Sequence, residues 1–225
     1  MPVPILPVDP ERPDETVIRR AAEEILRGGI VSFLTDTLYG LSCSLLDPAA
    51  VRFMYRMKGR PPGLSVISLV AEPADAETLA LDVPPPARRL IREFWPGPLT
   101  ILFRASPLVP AESRGNQDTI ALRCPNHRLS QALVEATGGP VVSTSANRSG
   151  SPAKTTAAEV HALFGSQLSL ILDGGVAKST SPSTIVDVTG PWPTLVRAGI
   201  LDLTDWFERE RKAASPGIPE PPALP

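Results

Sequence analysis

The sequence predicts an α/β fold in which a twisted, mixed β-sheet is flanked by helices. Segments with helical apolar spacing alternate with short β-branched runs, which is the pattern of a sheet covered by helices. The 225 residues are 42% hydrophobic, which is enough for a substantial buried core. We expect one domain over residues 14–211, a Pro-rich segment over residues 1–13 and a Pro-rich tail over residues 212–225, with both ends poorly ordered or extended.

Caps and helix breakers indicate the order of the elements. Asp14 is the expected N-cap of a first helix that Gly28-Gly29 ends, and Asp47-Pro48 begins a second helix. Thr156 and Glu159 have the spacing of a capping box. Further helices are expected over residues 84–95, 129–136 and 202–211, and strands over residues 30–34, 66–70, 99–103, 119–123, 141–142, 169–172, 184–188 and 194–197.

Small polar side chains stand next to several of the predicted strands. The residues concerned are Thr35, Ser143, Thr144, Ser145, Asn147 and Ser183. Hydroxyls and an amide in loops at strand ends can present hydrogen bonds to an anionic ligand, and strand ends are a common ligand position in α/β sheets. Ser and Asn also favour ordinary turns and helix caps, so these residues alone leave both interpretations open.

Cationic side chains stand at similar positions. Lys58 and Arg60 follow the second helix, where cations stabilise the helix dipole by roughly 0.3–1 kcal/mol without any ligand. Held between Gly and Pro residues, the same pair is also suited to clamp phosphates. Arg123 ends a strand and is either an ion-paired rim residue or a fork for a carboxylate or phosphate.

Composition and missing motifs exclude several classes of protein. A formal charge of −2 and a pI near 5.8 argue against coating nucleic acid by bulk positive charge. Cys43 and Cys124 have no metal-like spacing with His127 or His161, so we expect no metal site or disulfide framework and a reducing, cytoplasmic location. We expect no membrane span and no signal peptide.

The chemistry that remains is positioning and charge neutralisation. The sequence has no phosphate-binding P-loop, no dinucleotide-binding glycine turn and no G-x-S-x-G nucleophile elbow. Cations and hydroxyl-rich turns without an evident nucleophile or general base suit nucleotidyl transfer from ATP.

Six motifs in order carry a family resemblance. They are Thr35-Asp-Thr-Leu-Tyr-Gly-Leu41, Lys58-Gly-Arg-Pro61, Trp95-Pro-Gly-Pro-Leu-Thr100, Ala121-Leu-Arg-Cys-Pro125, Ser143-Thr-Ser-Ala-Asn147 and Ser183-Thr-Ile-Val-Asp187. Together they resemble the threonylcarbamoyl-AMP synthase family, of the YrdC/TsaC type, from about Ala21 to Ile200. The resemblance implies a YrdC-like fold with a large, positively charged, open cavity.

The resemblance also implies a reaction and its partners. L-threonine, bicarbonate (or CO2) and ATP, taken with Mg²⁺, would give threonylcarbamoyl-AMP and pyrophosphate. No tightly bound organic cofactor and no metal held by the protein are implied. Threonylcarbamoyl-transfer proteins would then pass the group to adenosine in tRNA, and direct binding of tRNA or other structured, double-stranded RNA is a further expectation.

The family's site residues map onto this sequence position by position. Lys58, Arg60, Ser145 and Asn147 would form the catalytic set and hold the ATP phosphates. The resemblance adds Arg197 and Thr119 for ATP, and it assigns four residues to threonine: Thr35, Arg123, Ser143 and Ser183.

Three departures from the family pattern are visible. Leu34 stands where the first motif usually has proline, and Pro62-Gly-Leu-Ser65 looks shorter than the usual loop and lacks a basic residue. The extra C-terminal domain of the larger subfamily is also not expected. A non-catalytic RNA-binding module and a paralogue that makes a different carbamoyl-type adenylate are the alternative functions.

Overall fold

The computed structural model describes residues 3–61, 66–177 and 182–213. Its α-helices are α1 Glu15–Leu26, α2 Pro48–Lys58, α3 Ala76–Leu79, α4 Pro85–Phe94, α5 Arg128–Thr137, α6 Ala157–Phe164 and α7 Thr204–Ala213. Its strands are β1 Ile5–Pro7, β2 Val31–Leu34, β3 Tyr39–Ser44, β4 Ile67–Leu69, β5 Leu99–Arg104, β6 Thr119–Arg123, β7 Val141–Ser145, β8 Leu170–Asp173, β9 Thr184–Asp187 and β10 Thr194–Arg197.

All ten described strands belong to one sheet, in the order β1-β8-β2-β3-β7-β4-β6-β5-β9-β10. The pairs β1–β8, β2–β8, β4–β6 and β5–β9 are parallel, and the other neighbouring pairs are antiparallel. The mixed sheet is therefore confirmed. Helices cover both of its faces, because successive residues of a strand point to opposite sides and both sides must be buried.

The two faces have separate apolar clusters. On one side, α1 and α5 pack Ile18, Ile25 and Leu133 against Val31 and Phe33 of β2. The larger cluster on the other side includes residues from α2, α4, α6 and α7. Full burial of one large apolar side chain contributes roughly 1.5–3 kcal/mol, so both clusters stabilise the packing of helices on the sheet.

The helix boundaries follow the predicted caps. The Asp14 side chain accepts hydrogen bonds from Thr16 N and Val17 N, at 2.8 and 3.1 Å, and Asp47 caps α2 in the same way. Gly59 ends α2 in the left-handed region, at φ 62°, where glycine has no steric penalty. The capping box at the start of α6 is present as predicted.

Two polar stretches that were not predicted as strand belong to the sheet. Residues 39–41 were not among the predicted strands, but β3 begins at Tyr39 and pairs with β2 and β7. Residues 143–145 were expected to leave the sheet, but β7 continues through Ser145, which stands opposite Gly40. Polar residues on a buried central strand were mistaken for turn residues, because their pairing is non-local and leaves no local signal.

The N-terminal segment is extended and takes part in the sheet. Ile5 and Leu6 pair in parallel with Ile171 and Leu172 of β8, and Val3 is buried in the larger cluster. The segment was predicted to be either poorly ordered or extended, and its described residues are extended. The predicted loop at residues 62–65, Ser181 and the tail from residue 214 onward lie outside the described residues.

Candidate functional site

A cavity of about 370 Å³ lies over one face of the sheet, rather than only at the strand ends where the ligand site was expected. Ile67 and Leu69 of β4 line it, as do Ser143 and Ser145 of β7. Residues i and i+2 of a strand share a face, so these pairs place the cavity over the middle of the sheet. The other lining residues come mainly from loops: Thr35, Asp36, Thr37, Leu38, Tyr39, Gly40, Arg60, Arg123, Pro125, Ser130, Thr144, Asn147, Ser151, Ala153, Pro182, Ser183, Ile185 and Arg197.

Three guanidinium groups converge on this cavity. Arg60 follows α2, Arg123 ends β6 and Arg197 ends β10, so residues far apart in the chain meet here. Burial lowers the pKa of Arg197, and repulsion from the nearby charges of Arg123 and Arg60 lowers it further. Among the described lining residues, Asp36 carries the one negative charge, so these side chains favour an anionic ligand.

Arg123 is almost completely buried and is held on two sides. Its Nε donates to the carbonyl of Gly97 at 3.0 Å, and its Nη2 donates to the Asp36 carboxylate. Burial lowers the pKa of the Arg123 guanidinium, and the charge of Asp36 opposes that effect. Asp36 is a site residue that was not singled out in the sequence, although a carboxylate in a polar stretch was an available signal.

Lys58 points into the protein beneath the turn that follows β7. Its Nζ donates to the carbonyls of Ser145 and Asn147, the latter at 2.9 Å, and to Asn147 Oδ1 at 3.3 Å. The carbonyl of Lys58 in turn accepts from Ser149 N at 2.9 Å. Burial and the positive charge of Arg60 lower the pKa of Lys58 to about 7. Lys58 is 3% exposed and is not among the described lining residues of the cavity.

Ser145 and Asn147 form the upper part of the same network. The Ser145 hydroxyl donates to Asn147 Oδ1 at 2.5 Å, and Asn147 Nδ2 donates to the carbonyls of Arg148 and Ser151. Both residues line the cavity. The structure thus brings Lys58, Ser145 and Asn147 together, with the lysine as the buried member.

The residues predicted for threonine also reach the cavity. Thr35 Oγ1 accepts from Thr37 N and Leu38 N, both at 3.2 Å, which closes the loop that carries Asp36. Ser183 Oγ lies 2.9 Å from Thr100 Oγ1 and accepts from Arg197 Nη2 at 3.1 Å.

Ser143 pairs with Ser42 of β3, and its hydroxyl lies diagonally beside Gly40. A Cβ atom on Gly40 would lie 3.2 Å from Ser143 Oγ, so the absence of a side chain at Gly40 leaves room for that hydroxyl.

Two further observations concern the same site. Thr119 is not among the described lining residues, and its hydroxyl donates to the carbonyl of Asn116 at 3.0 Å. Tyr39 also lines the cavity, and its hydroxyl donates to the carbonyl of Gly175 at 2.7 Å.

The described residues contain neither a metal-binding cluster nor a membrane-spanning helix. No group of three or more His, Cys, Asp or Glu residues could hold a metal ion there. In the same part of the chain, no helix is long and apolar enough to cross a membrane.

Fold and site together define an α/β protein whose mixed sheet carries a cavity lined by three arginines and several hydroxyls. The Sua5/YciO/YrdC family model, described as "Telomere recombination", matches residues 23–199. The threonylcarbamoyl-AMP synthase of Pyrococcus abyssi is 39% identical over 195 residues, and that of Alkalilimnicola ehrlichii is 38% identical over 173 residues. The chain therefore belongs to the Sua5/YciO/YrdC family.

The lengths of these relatives differ. The match covers 87% of this chain and 57% of the Pyrococcus protein, and it covers 76% of this chain and 90% of the Alkalilimnicola protein. The chain therefore spans little more than half of one relative and nearly all of the other.

Solved structures support the fold assignment. P. abyssi Sua5 complexed with L-threonine has a TM-score of 0.85 at 35% identity, and the match covers 98% of this chain and 67% of that one. Escherichia coli YciO has a TM-score of 0.84 at 28% identity, with coverage of 90% and 98%.

Proposed function

We propose that this protein is an L-threonylcarbamoyladenylate synthase, a nucleotidyltransferase that converts L-threonine, bicarbonate or CO2 and ATP into threonylcarbamoyl-AMP and pyrophosphate. The observation that carries the proposal is the convergence of Arg60, Arg123 and Arg197 on one hydroxyl-lined cavity. Cations of this kind bind both a polyphosphate and a carboxylate. A reaction between two bound anions needs charge neutralisation more than it needs a nucleophilic side chain of the protein.

Arg60, Arg197, Ser145 and Asn147 are the proposed ligands of the ATP phosphates. Within the described residues, Arg197 donates to the carbonyl and hydroxyl of Ser183 and pairs with no carboxylate, so its charge is available to phosphate. Lys58 supports these phosphate ligands from beneath, because it donates to the carbonyls of Ser145 and Asn147 and to the amide oxygen of Asn147. Thr119, which was also assigned to ATP, would act through the Asn116 turn that it bonds.

Thr35, Arg123, Ser143 and Ser183 are the proposed threonine ligands. Arg123 is the partner of the threonine carboxylate, because guanidinium and carboxylate match in charge and geometry. The hydroxyls of Ser143 and Ser183 face the same cavity and can hydrogen bond to the polar groups of the amino acid.

The proposed chemistry is an in-line displacement at phosphorus. The threonine amine takes up CO2 and loses a proton, which gives a carbamate. A carbamate oxygen then forms a bond to the α-phosphorus, while the bond from that phosphorus to the bridging oxygen breaks and pyrophosphate leaves with the electron pair. Mg²⁺ enters as part of the MgATP substrate. The side chains of this protein position the reactants and stabilise the developing charge.

The test is pyrophosphate release by the purified, folded protein with MgATP. We expect release only when threonine and bicarbonate are both present, and threonylcarbamoyl-AMP as the second product by mass spectrometry. Release without threonine, or only with another amine or with carbamoyl phosphate, would overturn the proposal in favour of a different adenylate. Substantial RNA binding that is unaffected by Asn147→Ala, without pyrophosphate release, would favour an RNA-binding module.

The product also indicates the next partners. A mixed anhydride of a carbamate and AMP is a group donor, so it must be consumed by a transfer reaction. We propose that threonylcarbamoyl-transfer proteins take it to tRNA in the cytoplasm, as the family resemblance implies.

A further inference from the structure

We infer that Asp36 is a positioning residue for Arg123, which it orients so that one face of the guanidinium is left for the carboxylate of the amino-acid substrate. This inference rests on the proposed function, since it names a further residue of the same site. Asp36 has no role in the assignments made above, and its place is set by geometry alone.

The first step is that two restraints fix the Arg123 guanidinium. Nε donates to Gly97 O at 3.0 Å and Nη2 donates to the Asp36 carboxylate, so the Nε–Nη2 face is used within the protein. Gly97 N donates back to Cys124 O at 2.8 Å, which ties the Gly97 turn to the end of β6. Within the described ranges, Nη1 has no hydrogen-bond partner, and Arg123 lines the cavity.

The second step is that the position of Asp36 is set by the loop that carries it. It lies between β2 and β3 in the loop that Thr35 closes with its own hydroxyl, and the Asp36 side chain is 20% exposed. The carboxylate engages Arg123 through Oδ2, whereas Oδ1 is buried and has no partner among the described residues. Because the pair uses only Nη2, Nη1 stays available to a ligand. A bidentate pair that used both terminal nitrogens would leave neither of them available.

The third step concerns charge. Asp36 neutralises Arg123, so the pair is formally uncharged, whereas Arg197 has no carboxylate partner among the described residues. A zwitterionic amino acid carries no net charge and suits a neutral pair, while the phosphates of ATP suit an uncompensated arginine. Asp36 therefore separates an amino-acid half of the cavity from a phosphate half.

The experiment is a double-mutant cycle on the full chain with Asp36→Asn, Arg123→Gln and the double variant. For Asp36→Asn we expect the KM for threonine to rise about tenfold with the KM for ATP changed less than about twofold. We also expect the variant to lose the preference in Kd for threonine over L-threoninamide, which has no carboxylate. In the Arg123→Gln background, adding Asp36→Asn should cause no further loss of threonine affinity. Glu77→Gln, which breaks an exposed ion pair with Arg88, is the matched control.

Three results would overturn the inference. These are additive effects of the two substitutions on threonine affinity, an unchanged preference over threoninamide in Asp36→Asn, and a parallel rise of both KM values. If Asp36→Asn does not fold, the double variant, which leaves no unpaired charge, gives the decisive comparison with Arg123→Gln. Wild-type protein that binds threonine but releases no pyrophosphate would contradict the proposed function while leaving the binding cycle fully interpretable.

Discussion

Lys58 Nζ donates to both oxygens of Asn147, the main-chain carbonyl at 2.9 Å and the side-chain Oδ1 at 3.3 Å. The lysine therefore joins the end of α2 to the turn after β7, two segments that are adjacent only in the folded chain. Asn147 reaches the cavity and Lys58 lies beneath it, so the two residues have different tasks although the sequence pattern groups them together.

Replacing Lys58 with Met should release this turn. Methionine keeps most of the volume but leaves buried carbonyl oxygens without a donor, which costs about 1–3 kcal/mol for each group. We expect kcat/KM for ATP to fall by about tenfold or more, measured as pyrophosphate release. Lys212→Met, on the exposed side of α7, is the control and should retain activity. Wild-type kinetics in Lys58→Met would show that the turn holds its shape without the ammonium.

The pH dependence of stability should report the buried Lys58. Its pKa in the folded protein is about 7, against an ordinary value of 10.5, so between these values the unfolded chain binds more protons than the folded chain. In that window the free energy of unfolding of wild type, relative to Lys58→Met, should rise with pH by at most about 1.4 kcal/mol per unit. Below pH 7 both states are protonated and the difference should be constant.

Urea unfolding of both proteins at several pH values from 6 to 9 measures this difference. The comparison cancels the other titrating groups that the two proteins share. A difference that does not change across the range would mean that Lys58 stays protonated in the folded state throughout.

Gly40→Ala should weaken threonine binding. The added Cβ would lie 3.2 Å from Ser143 Oγ, so this side chain, which is assigned to threonine, must shift by a few tenths of an ångström. The same Cβ would make an ordinary contact with Thr35 Cγ2 at 3.5 Å. We expect a higher Kd for threonine by calorimetry, an unchanged Kd for ATP and a loss of stability of about 1–3 kcal/mol from overpacking. Gly139→Ala is the matched control, because no heavy atom lies within 4 Å of its added Cβ. Equal losses of affinity for threonine and ATP would show that the substitution acts outside the amino-acid half of the cavity.

Arg197→Gln should weaken ATP binding more than threonine binding. The substitution removes one of the three converging guanidinium groups while leaving an amide that can still bond Ser183. We expect the KM for ATP to rise about tenfold and its dependence on salt to become less steep, because one phosphate contact is lost. Arg209→Gln, which breaks an exposed pair with Glu93, is the control. A larger loss for threonine than for ATP would reverse the assignment.

Local signals in the sequence are sufficient for most of the helices. Asp14, Asp47 and the Thr156–Glu159 box each act within four residues, so the caps that define α1, α2 and α6 can be identified without tertiary information. The α/β class could also be predicted, because helices and strands alternate along the sequence.

The strands rich in small polar residues could not be predicted in the same way. Gly40 and Ser42 become strand only because β2 and β7 stand on either side of them, and Ser143 and Ser145 belong to β7 for the same reason. These partners are distant in sequence, so nothing in a local window distinguishes such a strand from a loop.

In the candidate site, too, some features follow from local motifs and others depend on contacts between distant residues. Motifs contain Arg60 and Arg123, the family resemblance adds Arg197, and all three line one cavity. The direction of each side chain depends on acceptors elsewhere in the chain, such as Asp36 for Arg123. The individual ligand assignments stay predictions until the variants are measured.

The position of β1 has a consequence for how the chain folds. Ile5 pairs with Ile171, and β8 also pairs with β2, so β8 stands between the first two strands in the sheet. During synthesis both β1 and β2 emerge well before this partner, which spans Leu170–Asp173. Contacts of this sequence separation slow folding, so we expect β1 to join the sheet only after β8 has formed.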